Sequence, residues 1–87
     1  MTPTAFSLID LGTILVRHAG LDTRTDACEP DRTLADVGLD SLAFLQLQAA
    51  LTARFGFALP DTAADRTFGE MVAYVNHRLA ADGERAA

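Results

Sequence analysis

Among the side chains able to serve as nucleophile, base or ligand, Ser41 has the most distinctive setting, the run Gly38-Leu39-Asp40-Ser41-Leu42. A serine hydroxyl attacks a substrate only where a neighbouring base takes its proton. No histidine is near it in sequence: His18 and His77 belong to other segments, where each reads as a surface or helix-end residue. Ser41 is therefore not read as a catalytic nucleophile. Cys28 is the only cysteine, so no internal disulfide forms. It has no base beside it and belongs to no Cys/His set of zinc spacing, which makes it an inert loop thiol. Neither catalytic residues nor a metal site is expected.

The elements that must hold Ser41 are few. A chain of 87 residues buries one core and leaves no second lobe to close a cleft. With 49% apolar and 22% charged residues it has the composition of a globular protein that folds alone. The net charge of −5 argues against nucleic acid or an anionic membrane surface as partner, and all seven basic residues are Arg. Asp10, Arg17 and Asp22 interrupt the one long apolar region before it reaches the length of a membrane span. The start, Met1-Thr2-Pro3-Thr4, has no basic leader or cleavage site, so a cytoplasmic protein is expected.

Hydrophobic spacing predicts an all-α fold of three main helices and one short one. Between Phe6 and Ala19, Leu8, Leu11, Ile14 and Leu15 recur every three or four residues, with Ser7 and Asp10 spaced as a capping box and Gly20 as a stop. Residues 20 to 40 lose this period and gather Gly, Asp, Thr and Pro, which predicts a long acidic loop pinned by Leu34, Val37 and Leu39, with a short turn over Thr33 to Val37. The second helix starts after Asp40, which can cap it, and runs to Phe55 before Gly56. Phe44, Leu47, Leu51 and Phe55 form its core face, and Leu42, Leu45 and Ala49 a second apolar stripe. Phe57-Ala58-Leu59-Pro60 is an extended connector with Phe57 and Leu59 turned inward, and Asp61 caps the one-turn third helix. Thr67 and Glu70 have capping-box spacing, and Phe68, Met71, Val72, Val75 and Leu79 mark the last helix, with fraying expected from Gly83 to Ala87. One domain over 1–87 is expected, ordered from about 5 to 81.

The chain resembles the acyl carrier protein family over nearly its whole length. The resemblance rests on Leu34-Ala35-Asp36-Val37-Gly38-Leu39-Asp40-Ser41-Leu42, on Arg54-Phe55-Gly56 and on Leu59-Pro60-Asp61 at matching distances. It implies that a phosphopantetheinyl transferase attaches the 4′-phosphopantetheine of coenzyme A to Ser41, and that Asp40 sits among the residues the transferase and its metal engage. A phosphate attached there would lie near the positive end of the helix dipole. The implied function is to tether intermediates as thioesters on that arm and present them to partner enzymes, with no catalysis of its own.

Acyl carriers of fatty acid synthesis are typically rich in acids along the second helix, and this chain departs from them. Between Ser41 and Phe55 there is no Asp or Glu, and the polar residues are Gln46, Gln48, Thr52 and Arg54. Docking is therefore expected to rest on Leu42, Ala43, Leu45 and Ala49, with Gln46 as a hydrogen-bonding contact and the loop acids as the electrostatic part. With Asp-Ser-Leu-Ala and a closing Arg-Phe-Gly, the chain is most similar to the free-standing carriers of bacterial type II polyketide synthases. That likeness implies a monomer meeting a ketosynthase and chain-length factor, an acyltransferase and tailoring enzymes. A fatty acid carrier, a peptidyl carrier and an unmodified helical adaptor are the alternatives; Gly38-Leu39-Asp40 departs from the Gly-Gly start of most peptidyl carriers. Gln48 lies beside Phe44 and Phe55 at the margin of the core face. It must find a hydrogen-bond partner or reach water, and with Phe44 it is a candidate lining of a groove for the tethered chain.

Overall fold

A computed structural model describes residues 6–21 and 29–86, with side chains to 81. Cys28 and the acids Asp22 and Asp26 lie outside the described residues. The order is α1 (Leu8–His18), a 3-10 turn (Ala35–Val37), α2 (Ser41–Phe55), a second 3-10 turn (Asp61–Asp65) and α3 (Phe68–Ala86). This is the expected all-α bundle of three main helices and a short one. α1 packs against both α2 and α3.

Each helix starts where its sequence can satisfy the orphan N–H groups of a first turn. Ser7 Oγ accepts from the Asp10 N–H at 3.1 Å, and Asp10 Oδ2 accepts from the Ser7 N–H at 3.0 Å, completing the box. Thr67 and Glu70 form the same pair at α3, at 3.2 and 3.0 Å. Thr33 and Asp36 repeat it before the first 3-10 turn. At the second 3-10 turn the capping position belongs to Pro60, which makes no side-chain cap, and Asp61 is the first residue of the turn. The expected Asp61 cap is therefore not formed: after a proline fixed in extended backbone, the turn begins one residue earlier than the sequence suggested.

The core is built from Leu11 and Leu15 of α1, Leu47 and Leu51 of α2 and Phe68, Met71 and Val75 of α3, all essentially inaccessible to solvent. Leu34 is buried beneath the loop, with Val37 and Leu39 partly buried against the same cluster, as their role as pins requires. Phe57 and Leu59 turn inward from the connector. Phe55 is only partly buried: its ring meets Phe6 edge-on at 5.7 Å and stacks with Phe57 at 5.8 Å, closing the end of the bundle away from Ser41.

Two contacts tie the long loop to the far side of the fold. The Phe68 N–H donates to the Arg32 carbonyl at 2.8 Å and the Gly69 N–H to the Pro30 carbonyl at 3.0 Å, so loop backbone occupies the first turn of α3. A Cβ at Gly69 would lie 3.1 Å from both Cβ and O of Pro30. The loop that leads to Ser41 is thus seated against α3 through a glycine that permits the approach.

Candidate functional site

Asp40 ends the loop in extended backbone, and its Oδ1 accepts from the Ala43 N–H at 3.2 Å. Before it, Gly38 takes a φ of +82°, a left-handed turn that suits glycine. This pair of features makes Ser41 the first residue of α2, with an exposed side chain. The Ser41 and Leu42 N–H groups precede the first possible intrahelical acceptor, so they add to the positive end of the dipole.

Beside Ser41 opens a cleft of about 220 Å³. Leu34, Leu39 and Phe44 give it an apolar floor, Ala64 of the second 3-10 turn faces them, and Asp40 and Asp65 add carboxylates. Neither histidine lines it. His18 borders a groove that includes Arg54, at the other end of α2, and His77 is exposed on α3. Neither histidine is therefore placed beside Ser41, whose exposed hydroxyl is open to the chemistry of another enzyme.

On the outer face of α2, Leu42 and Leu45 are 59% and 63% exposed, with Gln46 and Ala49 also exposed. Large apolar side chains this open, starting one residue from Ser41, are what the second stripe predicted. Ala43 does not belong to that face. It is 3% exposed and turned into the bundle, so it offers no surface to a partner. The first turn of α2 rotates it inward next to Phe44.

Gln48 finds the hydrogen-bond partner that its place at the core margin called for, but does not line the cleft. Its Nε2 donates to the Leu59 carbonyl at 2.5 Å and its Oε1 accepts from the Leu59 N–H at 2.7 Å. The amide is consumed by the connector, as a half-buried amide requires, and Gln48 is not among the residues lining the cleft. Phe44 does line it. Of the two groove candidates, only Phe44 keeps that place. Sequence reasoning missed Asn76, whose side chain pairs in the same two-bond manner with Phe6, at 2.7 Å to the N–H and 2.8 Å to the carbonyl. A polar residue interrupting the apolar spacing of the last helix was the available signal.

The model of the family described as "Phosphopantetheine attachment site" matches residues 11–75, and this chain belongs to that family of carrier proteins. It is 38% identical to the monensin polyketide synthase acyl carrier protein of Streptomyces virginiae, over 93% of this chain and 96% of that one. It is 36% identical to the actinorhodin polyketide synthase acyl carrier protein of Streptomyces coelicolor (88% and 94% covered) and 37% identical to an anthracycline acyl carrier protein of Streptomyces peucetius (86% and 93%). No solved structure matches it significantly.

The chain is accordingly a carrier of covalent 4′-phosphopantetheine. The residues present fit that group: an exposed hydroxyl in the first turn of a 15-residue helix, backbone N–H groups suited to a phosphate, and a cleft with an apolar floor alongside. Among the described residues, no helix is long and apolar enough to cross a membrane.

Proposed function

We propose that Ser41 is the phosphopantetheine attachment residue and that the chain is the acyl carrier of a type II polyketide synthase. The observation that carries this is the exposure of Ser41 as the first residue of α2, capped by Asp40 and next to the cleft floored by Phe44. The arm supplies a thiol that holds an acyl chain as a thioester. The protein's own residues do the rest: the first turn of α2 receives the phosphate, Leu34, Leu39 and Phe44 offer an apolar rest beside it, and the exposed Leu42, Leu45, Gln46 and Ala49 form the face that partners meet.

The polyketide assignment is supported by the likeness to carriers named for polyketide and anthracycline synthesis and by the absence of acids within α2. The partners of this reading are a phosphopantetheinyl transferase, a ketosynthase with its chain-length factor, an acyltransferase and tailoring enzymes, met by a cytoplasmic monomer.

Incubation with coenzyme A and a broad-specificity phosphopantetheinyl transferase, followed by mass spectrometry, tests the attachment. A gain of one phosphopantetheine that is abolished in Ser41→Ala is the expected result. A gain that persists in Ser41→Ala would remove Ser41 from the site, and a folded native chain that is never modified would leave the helical adaptor as the reading.

A further inference from the structure

Two arginines of this acidic chain, Arg17 and Arg54, border one groove. Between the C-terminal ends of α1 and α2 lies a groove of about 310 Å³ whose floor is Ile14, Ala50 and Ala53 and whose rim carries Arg17, His18 and Arg54. Among the described residues that line it there is no carboxylate. Arg17 and Arg54 are exposed and stand in last turns, so the rim carries two full positive charges that the negative ends of the helix dipoles offset only in part.

Arg54 is also held in place. Its guanidinium lies over the rings of Phe55, at 5.0 Å, and Phe6, at 5.8 Å. A guanidinium stacked on an aromatic face keeps its N–H donors at the edge of its plane, where they can meet a carboxylate with little further loss of freedom. By contrast, Arg66 is paired with Glu70 at 3.6 Å, and Arg78 is half-buried with its Nη1 donating to the Tyr74 hydroxyl at 3.3 Å.

We propose that this groove is a docking site for an acidic, partly apolar segment of a partner protein, with carboxylates meeting Arg17 and Arg54 and an apolar side chain resting on Ile14, Ala50 and Ala53. The argument is charge complementarity: a cationic rim with no lining acid, around an apolar floor, on a chain whose net charge is −5. The site is separate from the phosphopantetheine end. Arg54 is thirteen residues along α2 from Ser41, about 20 Å at the rise of an α-helix. A partner seated there would hold the carrier by one end while leaving Ser41 and the Leu42/Leu45 face open, and this inference does not depend on Ser41 being the modified residue.

The test uses the full chain, isotopically labelled, and two synthetic amphipathic helices of identical apolar face, one bearing Glu and the other Lys at its polar positions. The Glu peptide should shift the signals of Ile14, Ala50 and Ala53 and the Lys peptide should not. Arg17→Gln/Arg54→Gln should weaken binding at least tenfold, and Arg17→Glu/Arg54→Glu should abolish it, with circular dichroism confirming the fold of each. On the unmutated chain, raising ionic strength from about 0.05 to about 0.5 M should weaken binding in the same direction, which keeps the test informative if the variants misfold. Equal shifts from both peptides, shifts scattered away from the groove, or binding indifferent to both salt and the arginine changes would overturn the proposal.

Discussion

The side-chain amide of Gln48 and the backbone of Leu59 are joined by two hydrogen bonds, one in each direction, across eleven positions of sequence. The amide acts toward the connector as a neighbouring strand would, satisfying an N–H and a carbonyl that have no helix to join. Replacing it with Leu keeps the volume and removes both partners, and each half-buried group left unpaired costs about 1–3 kcal/mol. Gln48→Leu should lower the urea midpoint accordingly.

Gln48→Glu separates the two bonds. The carboxylate still accepts from the Leu59 N–H but faces its carbonyl without a proton to donate, so its folded-state pKa should rise above the unfolded value. The stability of this variant is then fully present below the unfolded pKa and lost as pH rises through the folded one. Urea titrations at mildly acidic and neutral pH should show the variant gaining on the native chain as pH falls; a constant difference would mean the donor bond is idle.

Much of the fold was legible because it is local. Capping boxes are three residues long, and both Ser7/Asp10 and Thr67/Glu70 form as their spacing requires. Helix ends at Gly20 and Gly56 follow from residues that accept a positive φ. Gln48–Leu59, Asn76–Phe6 and Gly69–Pro30 were not legible, since each pairs a side chain or a bare Cα with backbone far off in sequence. A helical wheel also places a residue only to within its sector. Ala43 fell on the wrong side for that reason, its small side chain giving no apolar signal strong enough to separate core from docking face. At the site itself, Asp40 and Ser41 were readable because cap and first helical residue are adjacent, whereas the cleft beside them needed Ala64 and Asp65 from a turn more than twenty residues away.

Asp40 has two roles to separate: the cap of α2 and the proposed contact with the transferase. Its Oδ1 bond to the Ala43 N–H is one that Asn makes equally well, so Asp40→Asn should match the native stability while Asp40→Ala loses about 0.5–2 kcal/mol. Slower phosphopantetheine transfer to Asp40→Asn at unchanged stability is the expected result. Transfer at the native rate would limit Asp40 to capping.

Glu70 makes the start of α3 sensitive to acid. Hydrogen bonds from the Thr67 backbone and hydroxyl hold its carboxyl below the usual value, with a smaller contribution from Arg66. A depressed folded-state pKa means the stabilisation is present above the unfolded pKa and disappears as pH falls through the folded one. Thermal melts from neutral pH to about pH 3 should therefore show a shallower acid decline in Glu70→Gln than in the native chain. The Arg66 ion pair, exposed at 3.6 Å, should contribute little to that difference.

Under the proposed function, partner choice follows from what the outer face of α2 lacks. With no acid between Ser41 and Phe55, a synthase surface meeting that face finds Leu42 and Leu45, both more than half exposed, and the amide of Gln46. Apolar contacts in a docked interface are insensitive to ionic strength, while rim charges act mainly on the encounter rate and are screened within about 8–10 Å in ordinary buffers. Leu45→Ser or Gln46→Ala should thus raise the KM of a ketosynthase for the loaded carrier more than Asp31→Asn, which removes one exposed acid of the preceding loop. Each of the three positions is exposed, so none of the substitutions should disturb folding, and a difference in turnover reports docking alone. If Asp31→Asn were the most damaging of the three, and its effect vanished at high salt, recognition would rest on the loop's charge and the apolar face would be incidental.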